Sequence, residues 1–378
     1  MHTDVTSENR IATARLFEPL TIGGREFCNR LAVAPMTRVS ATEAGHATAR
    51  MADYYGAFAE GGFGLVITEG LYPDQLWSQG YLHQPGLSDD AQRDSWQPVV
   101  DRVHAAGARI IAQLMHAGAV SQGNRFRPGT RGPSAARPAG HQMPFYRGSG
   151  EYPVAAEMTK SEIDEAIAGF AAAAGRAREA GFDGVEIHGA NGYLLDQFLT
   201  EGVNRRTDAY GGEVASRLRI TIEVVQAVRA AVGPDFIVGV RSSQAKVNDF
   251  VHKWRGPEEA AETYARLGQL PLDYLHTTEF EAWQPAFGKG PSLAALAKRH
   301  SRLTVLANGS LHDPARAADM LSAGEADMIT LGRGALTHAD WPRRVAEGSQ
   351  IGEFDRQILS PLATLENDDQ VRARGASA

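Results

Sequence analysis

The chain has 378 residues, 43% of them hydrophobic and 22% charged, and a formal net charge of −7. This is globular composition with material for a large core, and the acidic balance argues against nucleic acid as a main partner, because phosphate recognition needs a concentrated basic face. One cysteine, Cys28, excludes an intramolecular disulfide framework and any Cys-only metal or iron–sulfur site, and it favours a reducing, cytoplasmic location. No apolar run reaches the length that a membrane span needs, so no membrane partner is expected.

Residues 1–15 are polar, lack a signal-peptide core and read as a disordered lead. Leu16–Asn29 reads as a hairpin turning at Gly23-Gly24, placed to plug the bottom of whatever follows. Short runs rich in Val, Ile and Leu then recur as strands at Arg30–Ala34, Gly64–Thr68, Arg109–Leu114, Gly184–Ile187, Phe236–Val240, Asp273–His276, Leu303–Ala307 and Asp327–Leu331. Helical patterns alternate with them over Ala49–Ala59, Asp90–Ala105, Lys160–Ala180, Ser216–Val232, Pro257–Leu267, Ser292–Lys298, Pro314–Ser322 and Ala339–Ala346. Boundary signals agree. Thr159 with Glu162 three residues on makes a capping box, Pro314 follows Asp313 at a first helical position, and Gly107, Gly181, Gly233 and Gly324 follow helical runs. Eight β-then-α units predict an α/β fold, a single (β/α)8 TIM barrel over 16–365, more naturally than an open doubly wound sheet. The 117–158 segment, rich in Gly, Pro and Arg, is a long insertion after strand three and reads as a lid over the upper face; Arg125, Arg127 and Arg131 within it read as solvated. Residues 366–378 read as a polar tail.

Barrel enzymes carry their chemistry at the C-terminal ends of the strands, and polar residues gather there. Strand four runs into His188-Gly189-Ala190-Asn191-Gly192-Tyr193. If the chain makes a helical turn after the strand, the H-x-x-N spacing puts His188 and Asn191 on one side, where two donors would hold a carbonyl oxygen and stabilise charge developing on it. Tyr193 adds an ionisable hydroxyl. No metal is expected, since Glu186 and His188 are read as lying on opposite faces of the strand. Gln113 and Arg241, at the ends of strands three and five, together with Thr37, suit a planar, electron-accepting cofactor whose reduced form is negative, though Arg241 could equally be a buried ion-pair partner. Asn308-Gly309 and Gly332-Arg333 end strands seven and eight, where glycine-rich loops often hold a phosphate.

As a set these residues resemble the Old Yellow Enzyme family of FMN-dependent ene-reductases. The motifs that carry the resemblance are Leu16–Leu20 (LFEPL), Ala34–Arg38 (APMTR), Gln113–His116 (QLMH), Gly132–Ala135 (GPSA), the His188–Tyr193 block, Asn204–Gly212 (NRRTDAYGG) and Leu331–Arg333 (LGR), in order over Leu16 to Glu347. The resemblance implies non-covalent FMN on the upper face, lined by Pro35, Met36 and Thr37. Gly70 makes a backbone contact, Gln113 lies at the pyrimidine edge and Arg241 at the anionic edge, with His188 beside the ring. Asn308, Gly309, Gly332 and Arg333 lie around the phosphate. It implies reduction of FMN by NADH or NADPH, then hydride transfer from flavin N5 to the β-carbon of a small-molecule enone held by His188 and Asn191, with Tyr193 protonating the α-carbon. Thr37 and Met115 border the substrate pocket. Two departures stand out: after Arg241 the chain reads Ser242–Phe250 (SSQAKVNDF), which includes the Gln244–Asp249 loop, then His252-Lys253-Trp254, where relatives typically carry Ser-Pro, and Asn308-Gly309 stands where paired glycines are common. With Thr278, Glu279, Glu281, Trp283 and Gln284, the first departure could form a distinctive wall. Nitroester or nitro-compound reduction, small-substrate oxidation on the same flavin, a flavin-free barrel lyase or isomerase, and a non-catalytic flavin-binding protein are the competing readings. Neither a monomer nor a homo-oligomer is singled out.

Overall fold

A computed structural model describes residues 13–375; the expected lead lies outside them except for its last three residues. Two short strands, β1 (Leu20–Ile22) and β2 (Arg25–Phe27), form an antiparallel hairpin with Ile22 opposite Arg25, so Gly23 and Gly24 are its two-residue turn. Both take positive φ, 56° and 74°, as the turn that matches strand twist requires. Eight parallel strands then close into a barrel: β3 (Leu31–Val33), β4 (Leu65–Ile67), β5 (Arg109–Leu114), β8 (Gly184–Asn191), β9 (Ile237–Lys246), β10 (Tyr274–Thr278), β11 (Thr304–Asn308) and β12 (Met328–Leu331), with β12 pairing back onto β3. The remaining two strands, β6 (Arg131–Gly132) and β7 (Ala156–Glu157), pair inside the 117–158 insertion.

Strand periodicity divides the core into two shells. Val66, Ala112, Val185 and Val238 face outward onto the helices, while Leu65, Ile67, Ile111 and Ile237 face the barrel axis. Ile22 and Phe27 of the hairpin join that axial cluster with Leu306 and Met328, closing the lower end. The principal outer helices are α1 (Ala49–Glu60), α2 (Asp90–Ala105), α3 (Lys160–Glu179), α6 (Arg219–Val232), α7 (Pro257–Leu267), α8 (Leu293–Ser301) and α9 (Pro314–Ser322). They start where the sequence signals: the Thr159–Glu162 capping box is complete, and Asp313 caps α9 with Pro314 at its first turn.

The structure differs from the sequence expectation in four places. The expected Ser216–Val232 helix is two, α5 (Val214–Arg217) and α6, meeting at Leu218. The insertion, expected as a loop, carries the strand pair β6–β7 and packs: Ala117, Val120 and Tyr152 cluster with Val39, Tyr81, Met115 and Tyr193. Most of the expected polar tail, 366–378, is the helix α12 (Leu365–Gly375), held by buried Asp368, which pairs with buried Arg38 at 3.0 Å. Finally, strands four and five run on, to Asn191 and Lys246, and this places the site.

Candidate active site

His188 sits on β8, buried, with Glu186 two residues before it. The expectation that these two lie on opposite faces was wrong: residues i and i+2 of a strand share a face, and Glu186 is wholly buried in the barrel interior. It accepts hydrogen bonds from Gln113 Nε2 at 2.8 Å, the Tyr274 hydroxyl at 3.1 Å and His276 Nδ1 at 2.8 Å. Burial pushes this carboxyl up, but His276, Arg241 and Gln113 outweigh burial and hold it at about 2. An ionised carboxylate only accepts, so His276 carries its proton on Nδ1, and its Nε2 accepts from the Thr330 hydroxyl at 2.8 Å. Sequence reasoning missed this network, which fixes the amide of Gln113. Among the described residues, no group of three His, Cys, Asp or Glu side chains could hold a metal ion.

The ring of His188 faces the upper end. Its Nδ1 accepts from the Ala190 N–H at 3.3 Å, which leaves the proton on Nε2. Burial and then the Arg241 charge hold the imidazole well below its usual range, so it is a neutral donor. Tyr193 lies edge-on to it, ring centroids 4.8 Å apart, and shares a 2.6 Å hydrogen bond with the Tyr81 hydroxyl. Burial raises the Tyr193 phenol, with Tyr81 and Arg241 opposing, so it is protonated at neutral pH. Tyr81, on the loop after β4, is a second residue the sequence did not disclose.

No helical turn brings Asn191 round to His188. Asn191 lies in an irregularity of the β8–β9 ladder, where Ser242 pairs with Gly189 but Lys246 pairs with Asn191. Three residues of β9, Ser243 to Ala245, thus stand against Ala190 alone. Asn191 and Gly192 take positive φ, 61° and 83°, in a bulge that bends the end of the strand.

Around this centre the other expected positions fall at the ends of their strands. Pro35, Met36 and Thr37 leave β3, and Met36 Sδ is the nearest heavy atom to where a Cβ on Gly332 would stand, at 3.7 Å. Gly70 packs on Met115, whose Sδ would lie 2.7 Å from any added Cβ. Arg241 donates to Asn308 Oδ1 at 3.0 Å, while its Nε is buried with no partner. Asn308 is therefore committed within the protein: Oδ1 also accepts from Thr278, and Nδ2 donates to the Thr330 carbonyl. Gly309 is pressed against the loop after β10, where a Cβ would meet the Glu279 carbonyl at 2.2 Å. Arg333 is exposed and donates to the Ser310 hydroxyl at 2.6 Å. The suspected wall is connected: Gln244 N–H donates to Glu279 at 3.3 Å, Gln244 Nε2 to the Ala286 carbonyl at 3.2 Å, and Lys253 pairs with Glu279 at 2.8 Å. The Asn204–Gly212 motif ties loops together, since Arg206 donates to the carbonyls of Pro133 and Met158 in the insertion.

A buried guanidinium with an unused donor, an amide fixed by a buried carboxylate and small residues where strands end fit a planar, electron-accepting ring whose reduced form is negative, such as the isoalloxazine of FMN. Fold and site together define a flavin-using barrel oxidoreductase.

The profile of the NADH:flavin oxidoreductase / NADH oxidase family matches residues 15–351. The chain is 34% identical over 348 residues to a probable flavin mononucleotide-dependent alkene reductase of Leishmania infantum, covering 90% of this chain and 92% of that one. It is 33% identical over 345 residues to an NADH oxidase of Thermoanaerobacter brockii, covering 89% of this chain but spanning only 51% of that longer protein. Among solved structures it matches the Old Yellow Enzyme homologue from Zymomonas mobilis, with 31% identity, TM-score 0.83 and coverage of 94% and 98%. Morphinone reductase in complex with tetrahydroNAD matches with 31% identity, TM-score 0.81 and coverage of 91% and 93%. The chain belongs to the NADH:flavin oxidoreductase / NADH oxidase family, that of the Old Yellow Enzymes. It is an FMN-dependent oxidoreductase that uses a nicotinamide reductant. No helix among the described residues is long and apolar enough to cross a membrane.

Proposed function

We propose that this enzyme reduces the activated C=C bond of α,β-unsaturated carbonyl compounds. The observation that carries the reading is the pairing of a neutral, Nε2-protonated His188 with a protonated Tyr193 whose ring lies 4.8 Å away. His188 Nε2 and the Asn191 amide bind the substrate carbonyl oxygen and stabilise the charge that develops there, a contribution of ~10²–10³ in rate per donor. A neutral imidazole with its proton on Nε2 suits this role, because it donates to the oxygen without placing a second buried positive charge near Arg241. Tyr193 delivers its proton to the α-carbon, and Tyr81 holds the hydroxyl in place. FMN, when bound, supplies the two-electron chemistry that links the nicotinamide to the β-carbon.

Pro35, Met36, Thr37, Gly70 and Gln113 would hold the flavin ring, and Arg241, whose Nε–H has no partner in the protein, would support the charge the ring gains on reduction. Gly309, Gly332 and Arg333 would take the phosphate end. Asn308 acts indirectly, by orienting Arg241, since its own side chain is already bonded. Met115 and Thr37 border the substrate pocket, and the 117–158 insertion roofs it through Val120 and Tyr152.

Changing Tyr193 to Phe tests the assignment. Enone reduction should fall by ~10²–10⁴, while anaerobic bleaching of the bound flavin by NADH or NADPH, and reduction of a nitro compound, should persist. Equal loss of all three would overturn Tyr193 as the proton donor.

A further inference from the structure

Two consecutive residues in the left-handed region, one of them not glycine, do not hold that shape unaided. At Asn191 and Gly192 the restraints are explicit. The Asn191 N–H donates to Ser243 Oγ at 2.8 Å, and the Asn191 carbonyl accepts from the Val247 N–H at 3.0 Å. The Gly192 N–H donates to Asp196 Oδ2 at 2.7 Å, and the Gly192 carbonyl accepts from Gln197 Nε2 at 2.7 Å. On one side Gly192 is closely packed, since an added Cβ would meet Asn248 Oδ1 at 2.7 Å and Lys246 Cβ at 3.1 Å; it also borders a cavity of about 220 Å³ whose wall includes Ser134, Thr200, Arg205, Lys246 and His252. Four hydrogen bonds thus hold the bulge, and Lys246 packs against it.

One of those bonds depends on a buried charge. Asp196 is wholly buried; Lys246, also buried, donates to its Oδ1 at 2.6 Å, and the Thr200 hydroxyl lies 3.4 Å from the same oxygen. Lys246 stands there because the three-residue excursion of β9 brings it opposite Asn191 in the ladder. Removing one partner of a buried ion pair leaves an uncompensated charge, which drives local opening.

We propose that Lys246, by neutralising Asp196, keeps the Asn191–Gly192 bulge in the conformation that aims Asn191 at the substrate carbonyl; it is a positioning residue supplied by the extended end of β9. The inference rests on the reading of Asn191 as a carbonyl-binding residue. Lys246 touches no reacting atom. Its effect passes through the Asp196 carboxylate and the Gly192 N–H.

The test measures binding of cyclohexanone, a saturated carbonyl with no bond to reduce, to the FMN-loaded enzyme by calorimetry, with flavin content checked in each protein. Asn191→Ala serves as the control for the underlying reading: unchanged affinity there would remove Asn191 from the carbonyl site, whatever Lys246 does. With that control weakened, Lys246→Met should retain its flavin and bind cyclohexanone at least about tenfold more weakly, as a misaimed binding group would. Wild-type affinity in Lys246→Met would overturn the proposal. Two double variants keep the test decisive even where the single variant fails to fold, a failure that itself fits an uncompensated charge on Asp196. Lys246→Met with Asp196→Asn removes both charges but keeps an acceptor for the Gly192 N–H, and it should bind within about threefold of wild type. Lys246→Met with Asp196→Ala also removes both charges but leaves that N–H unpaired, and it should stay about tenfold weak. Equal affinity in the two double variants, strong or weak, would overturn the chain of action from Lys246 through Asp196 to the bulge.

Discussion

At the lower end of the barrel the hairpin presses Ile22 and Phe27 into an axial cluster of Ala32, Leu65, Ile67, Ile111 and Met328. At the upper end the same axis carries Glu186, His276, Gln113 and Arg241. The lower end is closed by shape and apolar area. The upper end is built in two tiers. Deeper, Glu186 is satisfied by three donors from β5 and β10, while above it the Arg241 Nε and the Tyr152 hydroxyl are buried without partners. Buried polar groups without partners are disfavoured in a finished core. Such atoms also occur elsewhere, as at Arg25 Nε in the hairpin and Thr263 Oγ1 in α7, so it is the position of Arg241 Nε above the Glu186 network, and not a clustering of such atoms, that fits a ligand there. The satisfied tier beneath supplies rigidity, and the unsatisfied tier supplies binding capacity.

The comparison can be broken at either end. Phe27→Ala should give the largest loss, about 3–5 kcal/mol of unfolding free energy, read by urea denaturation. Because the plug is remote from the strand ends that carry the site, the folded fraction should keep full FMN occupancy and unchanged KM for an enone. Loss of flavin in parallel with stability would show that the two ends are not independent. Tyr274→Phe deletes one of the three donors to Glu186 and keeps the ring that packs on Gly239. It should cost about 1.5–3 kcal/mol, as for a hydrogen bond to a charged group. A loss below about 0.5 kcal/mol would mean that the carboxylate finds another partner, and the lower polar tier would then not be the rigid one.

These two tiers were unequally visible in the sequence. The eight strands were legible because a parallel sheet covered on both faces reads as continuous apolar runs, and Arg109–Leu114 was bounded to the residue. The continuation of β9 through Arg241-Ser242-Ser243-Gln244-Ala245-Lys246 was not, because three of its polar side chains are satisfied by partners outside the strand: Ser242 by Tyr264, Gln244 by Ala286 and Trp254, Lys246 by Asp196. Glu186 was misplaced for a different reason, since the two-residue period of a strand already puts it on the face of His188. What the linear chain hides is its set of donors, which come from positions 73, 88 and 90 residues away. His188 and Asn191 were singled out by their spacing and Tyr193 as a nearby hydroxyl, yet the bulge at Asn191 and Gly192 is made with the neighbouring strand, and no local pattern announces it. Likewise α12 was read as a tail because its anchor to Arg38 closes a separation of 330 residues.

The smallest expected effect concerns pH, where the two sides of the upper end oppose each other. His188 and His276 are held below their ordinary 6.5 by burial. The unfolded chain therefore takes up protons that the folded one refuses, so their contribution is present above pH 6.5 and is lost as pH falls below it. Glu69 behaves in the opposite sense. It is buried at the end of β4, where it accepts from the Arg38 N–H at 2.9 Å and from the Tyr55 hydroxyl at 3.2 Å. Burial, only partly offset by Arg38 and Tyr55, pushes it up from 4.5 to about 7. The folded state keeps a proton there that the unfolded state has lost, so its contribution is greatest below pH 4.5 and fades as pH rises to 7. Between pH 5 and 6.5 the histidines make stability rise with pH and Glu69 makes it fall, which flattens the wild-type profile. Glu69→Gln removes only the falling component. Measured by urea denaturation at saturating FMN, its unfolding free energy should increase more from pH 5 to pH 7 than that of wild type does, by on the order of 1–2 kcal/mol. A profile parallel to wild type would mean that Glu69 is ionised throughout this range, paired with Arg38 as part of the satisfied tier.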